Sequence, residues 1–113
     1  MVTEYVPDAG HAVWLSLDPT RGHEQSGRRP FLVLTPRSYN ARTALVVGVP
    51  ITSKAKGYPF EVALGKRAVV SGVVLADQVK SLNWRTRAAV FAEDVPAETV
   101  RRVRTMIATL LQM

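Results

Sequence analysis

Residues 11–17, HAVWLSL, alternate in character, with Val13, Leu15 and Leu17 on one face and Trp14 and Ser16 on the other. A period of two is the signature of a half-buried β-strand, since successive side chains leave a strand on opposite sides. Working outward from this run, comparable β-rich stretches recur at 31–35, 44–49, 60–64, 73–76 and 86–91. Six short strands punctuated by Pro, Gly, Asn and Asp predict a small β-barrel or sandwich. The period changes near the C-terminus, where Val100, Val103, Ile107, Leu110 and Leu111 fall at helical spacing with Arg101, Arg102, Arg104 and Thr105 between them. Pro96 and the acids Glu93, Asp94 and Glu98 mark the start of that helix, where the positive end of its dipole favours negative charge. The expected fold class is therefore mainly β with a C-terminal α-helix that packs on the barrel.

The chain has 113 residues, of which 47% are hydrophobic, enough for one core. No linker, repeat or low-complexity tract divides it, so residues 1–113 are read as one domain. The N-terminus lacks the basic and apolar regions of an export signal, and no run approaches the roughly 18 apolar residues of a membrane span. A protein that acts in the cytoplasm, with no membrane partner, is expected. The absence of cysteine excludes a disulfide scaffold, a thiolate zinc site and a cysteine nucleophile.

Charge is unevenly placed. Residues 1–92 hold twelve Lys/Arg against six Asp/Glu, whereas 93–113 hold three of each. A basic body with a neutral tail suits a polyanion, because phosphate neutralisation dominates nucleic-acid affinity, although a merely solvated basic surface reads the same way.

Two polar connections stand out, 18–30 (DPTRGHEQSGRRP) and 51–59 (ITSKAKGYP). Long loops in small domains concentrate function. The first carries Arg21, His23, Glu24, Arg28 and Arg29, and the second carries Thr52, Ser53, Lys54, Lys56 and Tyr58. Scission of RNA through its 2′-hydroxyl needs a group to take that proton, donors for the phosphoryl oxygens and help for the leaving 5′-oxygen. The planar fork of an arginine matches two phosphate oxygens. Arg29 reads either as a surface cation or as such a ligand. Its place before Pro30 holds it extended on a rigid element. Thr52 reads either as a strand-end residue bonded to local backbone or as a hydroxyl donor to phosphate. Glu24, beside arginines, is the candidate base or an ion-pair partner, and it is weighted above the solvated His23. No HExxH, paired-Asp, P-loop, dinucleotide or GxSxG pattern is present, so neither a metal nor another cofactor is called for.

Three stretches in order, YVPDAGHAVWLSLDPTRGHEQSGRRPFLVLTP, VPITSKAKGYPFEV and LADQVKSLNWRTR, resemble the MazF/PemK toxin endoribonucleases of bacterial toxin–antitoxin modules. The resemblance runs from about Tyr5 to the final helix. It implies a small SH3-like or CcdB-like β-barrel, a homodimer whose groove takes single-stranded RNA, and a cognate antitoxin that occludes the groove. It further implies metal-independent, sequence-selective cleavage of mRNA that leaves 2′,3′-cyclic phosphate and 5′-hydroxyl ends. Arg29 and Thr52 stand at the family's catalytic positions and Glu24 at its supporting acid. Arg28, Lys56, Gln78, Lys80 and Arg87 are expected to contact RNA. The alternatives are a non-catalytic toxin of CcdB type that binds gyrase, or a general single-strand binder. The latter is disfavoured because such proteins stack bases on exposed aromatics and only eight aromatic residues are available.

Overall fold

The computed structural model describes residues 4–16, 27–66 and 69–113. Glu24, His23 and Arg21 lie outside the described residues. Seven strands, β1 (His11–Ser16), β2 (Arg28–Val33), β3 (Leu45–Thr52), β4 (Glu61–Gly65), β5 (Gly72–Leu75), β6 (Lys80–Asn83) and β7 (Val90–Asp94), accompany two helices, α1 (Arg37–Thr43) and α2 (Ala97–Leu111). All strand pairings are antiparallel, in the order β4-β5-β3-β2-β1-β7. The sheet curls into a half-barrel in which β4, β6 and β7 each have a single strand neighbour among the described residues.

β3 organises this curl, because its two halves take different neighbours. Leu45 to Gly48 pair with β6, Ile51 and Thr52 pair with β5, and the opposite edge of β3 pairs with β2. Gly48 sits where β3 and β2 crowd together. A Cβ there would lie 2.0 Å from Leu32 O and 2.7 Å from the Phe31 ring.

Alternation along β1 and β2 proves to be burial on both faces. Ala12, Leu32 and Leu34 join Val49, Ile51, Val62, Val74 and Val103 in one cluster, while Val13, Leu15, Phe31, Val33, Val46 and Trp84 form a second. Ser16 and Trp14, expected on a solvated face, are buried and half-buried respectively. Fully burying an aliphatic side chain contributes about 1.5–3 kcal/mol, so the central strands carry much of the driving force.

The predicted C-terminal helix is present, with Pro96 just before it and Glu98 in its first turn. Val103 is fully buried, and Val100, Met106 and Ile107 pack on the first cluster. The apolar stripe outlasts its support, since Leu110 and Leu111 are exposed. Glu93 and Asp94 belong to β7 and not to the helix start, and the Glu93 carboxylate accepts the Val70 N–H at 2.8 Å.

Other expectations need correction. The run 86–91 is not one strand. Asn83 Oδ1 accepts the N–H groups of Arg85 and Thr86 at 3.0 Å each, and this side-chain-capped turn delays β7 until Val90. β6 and α1 were not foreseen from the pattern. α1, RSYNART, buries only Asn40 and presents no apolar stripe. Arg28 to Pro30 and Ile51 to Thr52, read as loop, are the ends of β2 and β3.

Candidate active site

The strand ends just described place Arg29 and Thr52 on the same concavity. It is a cleft of about 630 Å³ lined by Trp14, Arg28, Arg29, Pro30, Pro50, Ile51, Thr52, Ser53, Lys54, Val69, Val70, Ser71, Leu75, Gln78 and Lys80. Four of these are cations, and none of the described lining residues is an acid. A second cleft, of about 510 Å³, shares Thr52, Lys54, Leu75 and Gln78 with the first and adds Lys56, Tyr58, Pro59, Phe60, Glu61 and Asp77. The two form one groove with Thr52 and Lys54 at the junction, cationic on one side and of mixed charge on the other.

Thr52 is held from behind. β5 begins at Gly72, whose φ of +111° suits glycine. A Cβ at Gly72 would stand 2.0 Å from Thr52 O and 2.8 Å from Ser53 Cα. Thr52 Oγ1 accepts the Lys54 N–H at 3.2 Å. That is the local backbone bond typical of such a threonine, but it uses a lone pair and not the hydroxyl hydrogen. The residue can therefore serve both roles.

Arg29 is exposed at the start of β2 and donates from Nη1 to Arg28 O at 2.9 Å. A guanidinium carries five N–H donors, so a carbonyl bond and a phosphate contact are compatible. Arg28 donates to Arg87 O at 3.2 Å and to Trp14 O at 3.3 Å, while Arg87 donates to Ser16 O at 2.8 Å. These two arginines tie the end of β1 to the 84–88 turn. Arg28 still lines the groove, whereas Arg87 is not among the lining residues.

Lys56, Gln78 and Lys80 are exposed along the groove: Lys80 in the cationic half, Lys56 in the mixed half and Gln78 in both. Lys54, Glu61 and Asp77 join them without having been assigned a role from the sequence. The signal for Lys54 was its place two residues after Thr52, and Glu61 and Asp77 had none until β4 and β5 paired. Among the described residues no three His or acidic side chains converge on a point that could hold a metal ion.

Among the described residues, the titratable groups with clear shifts lie elsewhere, around His11. Its Nδ1 accepts the Asp8 N–H at 3.2 Å and contacts Tyr5 Oη at 2.8 Å, and its Nε2 stands 3.7 Å from Asp94. Burial lowers the His11 pKa against the opposing pull of Asp94 and Asp8, with Arg37 adding to the lowering. Burial likewise pushes the Tyr5 hydroxyl up. Asp8 is held below the usual carboxylate range, first by the backbone N–H of Arg37.

A family described as PemK-like, MazF-like toxins of type II toxin–antitoxin systems matches residues 8–111. The chain is 46% identical over 111 residues to the endoribonuclease toxin MazF of Escherichia coli K12, covering 98% of this chain and 99% of that one. It superposes on MazF from Deinococcus radiodurans with a TM-score of 0.88 at 55% identity, over 97% of this chain and 100% of that one. A MazE–MazF complex from the same organism gives 0.87 at 50% identity, over 97% and 99%. No helix of the described residues is long and apolar enough to cross a membrane.

Proposed function

The chain belongs to the PemK-like, MazF-like toxins of type II toxin–antitoxin systems as a homologue of the MazF endoribonucleases, and on that premise we propose that it cuts single-stranded RNA in the groove around Thr52. The observation that carries this reading is the meeting of Arg29 and Thr52, 23 positions apart in sequence, on one cationic cleft free of acids among its described lining residues. An extended RNA strand lies along the groove with the scissile phosphate at the junction.

The 2′-oxygen attacks phosphorus as it loses its proton, the P–O5′ bond breaks, the departing 5′-oxygen takes a proton from water, and a 2′,3′-cyclic phosphate and a 5′-hydroxyl result. Arg29 neutralises the charge that builds on the phosphoryl oxygens, and Thr52 donates its hydroxyl hydrogen to one of them. Glu24 is the carboxylate read as accepting the 2′-hydroxyl proton. No metal or other cofactor is required. Lys54, Lys56, Lys80 and Gln78 hold flanking nucleotides, and Arg28 serves chiefly to fix the cleft wall. Arg87 acts on RNA only through the turn it anchors.

The working form is a homodimer in the cytoplasm, and the exposed Leu110, Leu111 and Met113 on and beyond α2 are apolar surface of the kind such interfaces cover. A cognate antitoxin of MazE type restrains it by covering the groove. A gyrase-binding toxin without chemistry has no use for a cationic cleft with a hydroxyl at its centre.

The test is incubation of purified protein with an unstructured RNA pool in EDTA, followed by sequencing of the ends. Cyclic-phosphate ends at a recurrent short sequence are expected. Cleavage that appears only with added magnesium, or intact RNA alongside stalled gyrase, overturns the reading.

A further inference from the structure

Glu61 has no part in the chemistry described above, yet among the described residues its carboxylate is the most fully engaged on the groove. It is rooted in the ladder opposite Leu75 at the start of β4, and its own N–H donates to Tyr58 O at 3.2 Å. From there the carboxylate reaches back over the preceding loop. Oε1 accepts the N–H groups of Lys56 at 3.2 Å and Gly57 at 3.0 Å, and Oε2 accepts Lys56 N–H at 3.1 Å. Successive backbone N–H groups aimed at one point make an anion-holding concavity. Here the chain's own side chain fills it, and Gly57, at φ +78°, supplies the left-handed turn.

Residues 53–59 are exposed throughout, so packing does not hold this segment. We infer that Glu61 is a positioning residue for RNA: by occupying the Lys56–Gly57 concavity it sets the wall that presents Lys54, Lys56 and Tyr58 to the strand beyond Thr52. Its negative charge also denies that concavity to an RNA phosphate, which is left to the lysine side chains. The inference rests on the groove being the RNA site.

Because Arg29 and Thr52 sit on β2 and β3, loss of Glu61 disturbs binding and not the chemical step. Glu61→Ala is expected to raise KM for a short RNA about tenfold with kcat within about twofold. In the RNA-free protein, amide hydrogen exchange at Lys56 and Gly57 should quicken at least tenfold with Tm unchanged. Glu61→Gln keeps the side chain's size and one acceptor oxygen able to take both N–H groups, and should fold and recover most of the KM.

Faster exchange in Glu61→Ala combined with wild-type KM overturns the inference alone, as does unchanged exchange. A fall in kcat at constant KM also overturns it. Wild-type protein that neither binds nor cuts RNA overturns the reading of the groove itself and this inference with it.

Discussion

Asn40, in the middle of α1, and Thr52, at the end of β3, are both small polar residues, and the fold treats them in opposite ways. Asn40 is wholly buried, and its polar capacity is spent inside the molecule. Its amide nitrogen donates to Pro7 O at 2.8 Å and Thr35 O at 2.9 Å, its Oδ1 accepts from Thr35 at 2.7 Å, and its carbonyl accepts from Trp84 Nε1 at 2.9 Å. Thr52 spends one lone pair locally and faces an open cleft. The contrast separates polar residues that specify the fold from those that the fold leaves available to a ligand. Losing the first kind orphans buried partners, and losing the second kind removes only what the ligand would have met.

Substitutions at the two regions should therefore fail differently. The largest effect is expected at the groove: Arg29→Ala should slow RNA cleavage by about 10²–10³-fold, the scale of losing one charge-stabilising donor, with Tm near wild type. A variant that keeps its rate, or melts early, breaks the contrast. Next is Asn40→Ala, which leaves Pro7 O and Thr35 O without their partner. It should cost about 3 kcal/mol and lower Tm by roughly 10 °C or more, while folded protein at low temperature cuts RNA at the normal rate. Thermal melting and low-temperature kinetics on one sample check both halves.

The smallest effect concerns His11, which sharpens the contrast because it is a polar group of the first kind that also titrates. Its folded pKa lies below the ordinary 6.5, so between the two values the unfolded chain binds more protons. Stability is then complete above pH 6.5 and declines as pH falls below it. Tm measured from pH 7.5 to 5 should drop, and His11→Gln should flatten the slope. Asp8 does not interfere in that range, since its lowered pKa confines its own loss of stability to pH below 3.8.

Legibility in the sequence followed the same division. Strands with apolar alternation, such as β1 and the core of β2, were visible because burial writes a period into the chain. α1 left no such mark, since a seven-residue helix held through Asn40 needs one buried amide and not a stripe. β6, KSLN, is short and largely solvated and is defined by its pairing with β3. At the site, Arg29 and Thr52 were singled out as candidates only through the ordered motifs around them, and the structure adds that both line one cleft. Glu61 could not be found that way, because its meaning lies in two backbone N–H groups that only the folded loop brings to it.

If Thr52 takes the part proposed for it, the glycine behind it enlarges the target for inactivating mutations. Gly72 has neither charge nor hydroxyl, yet replacing it with any other residue puts carbon 2.0 Å from Thr52 O. A cell under pressure to silence such a protein does not have to strike the reacting groups. The vulnerable set includes a position whose whole contribution is the absence of an atom.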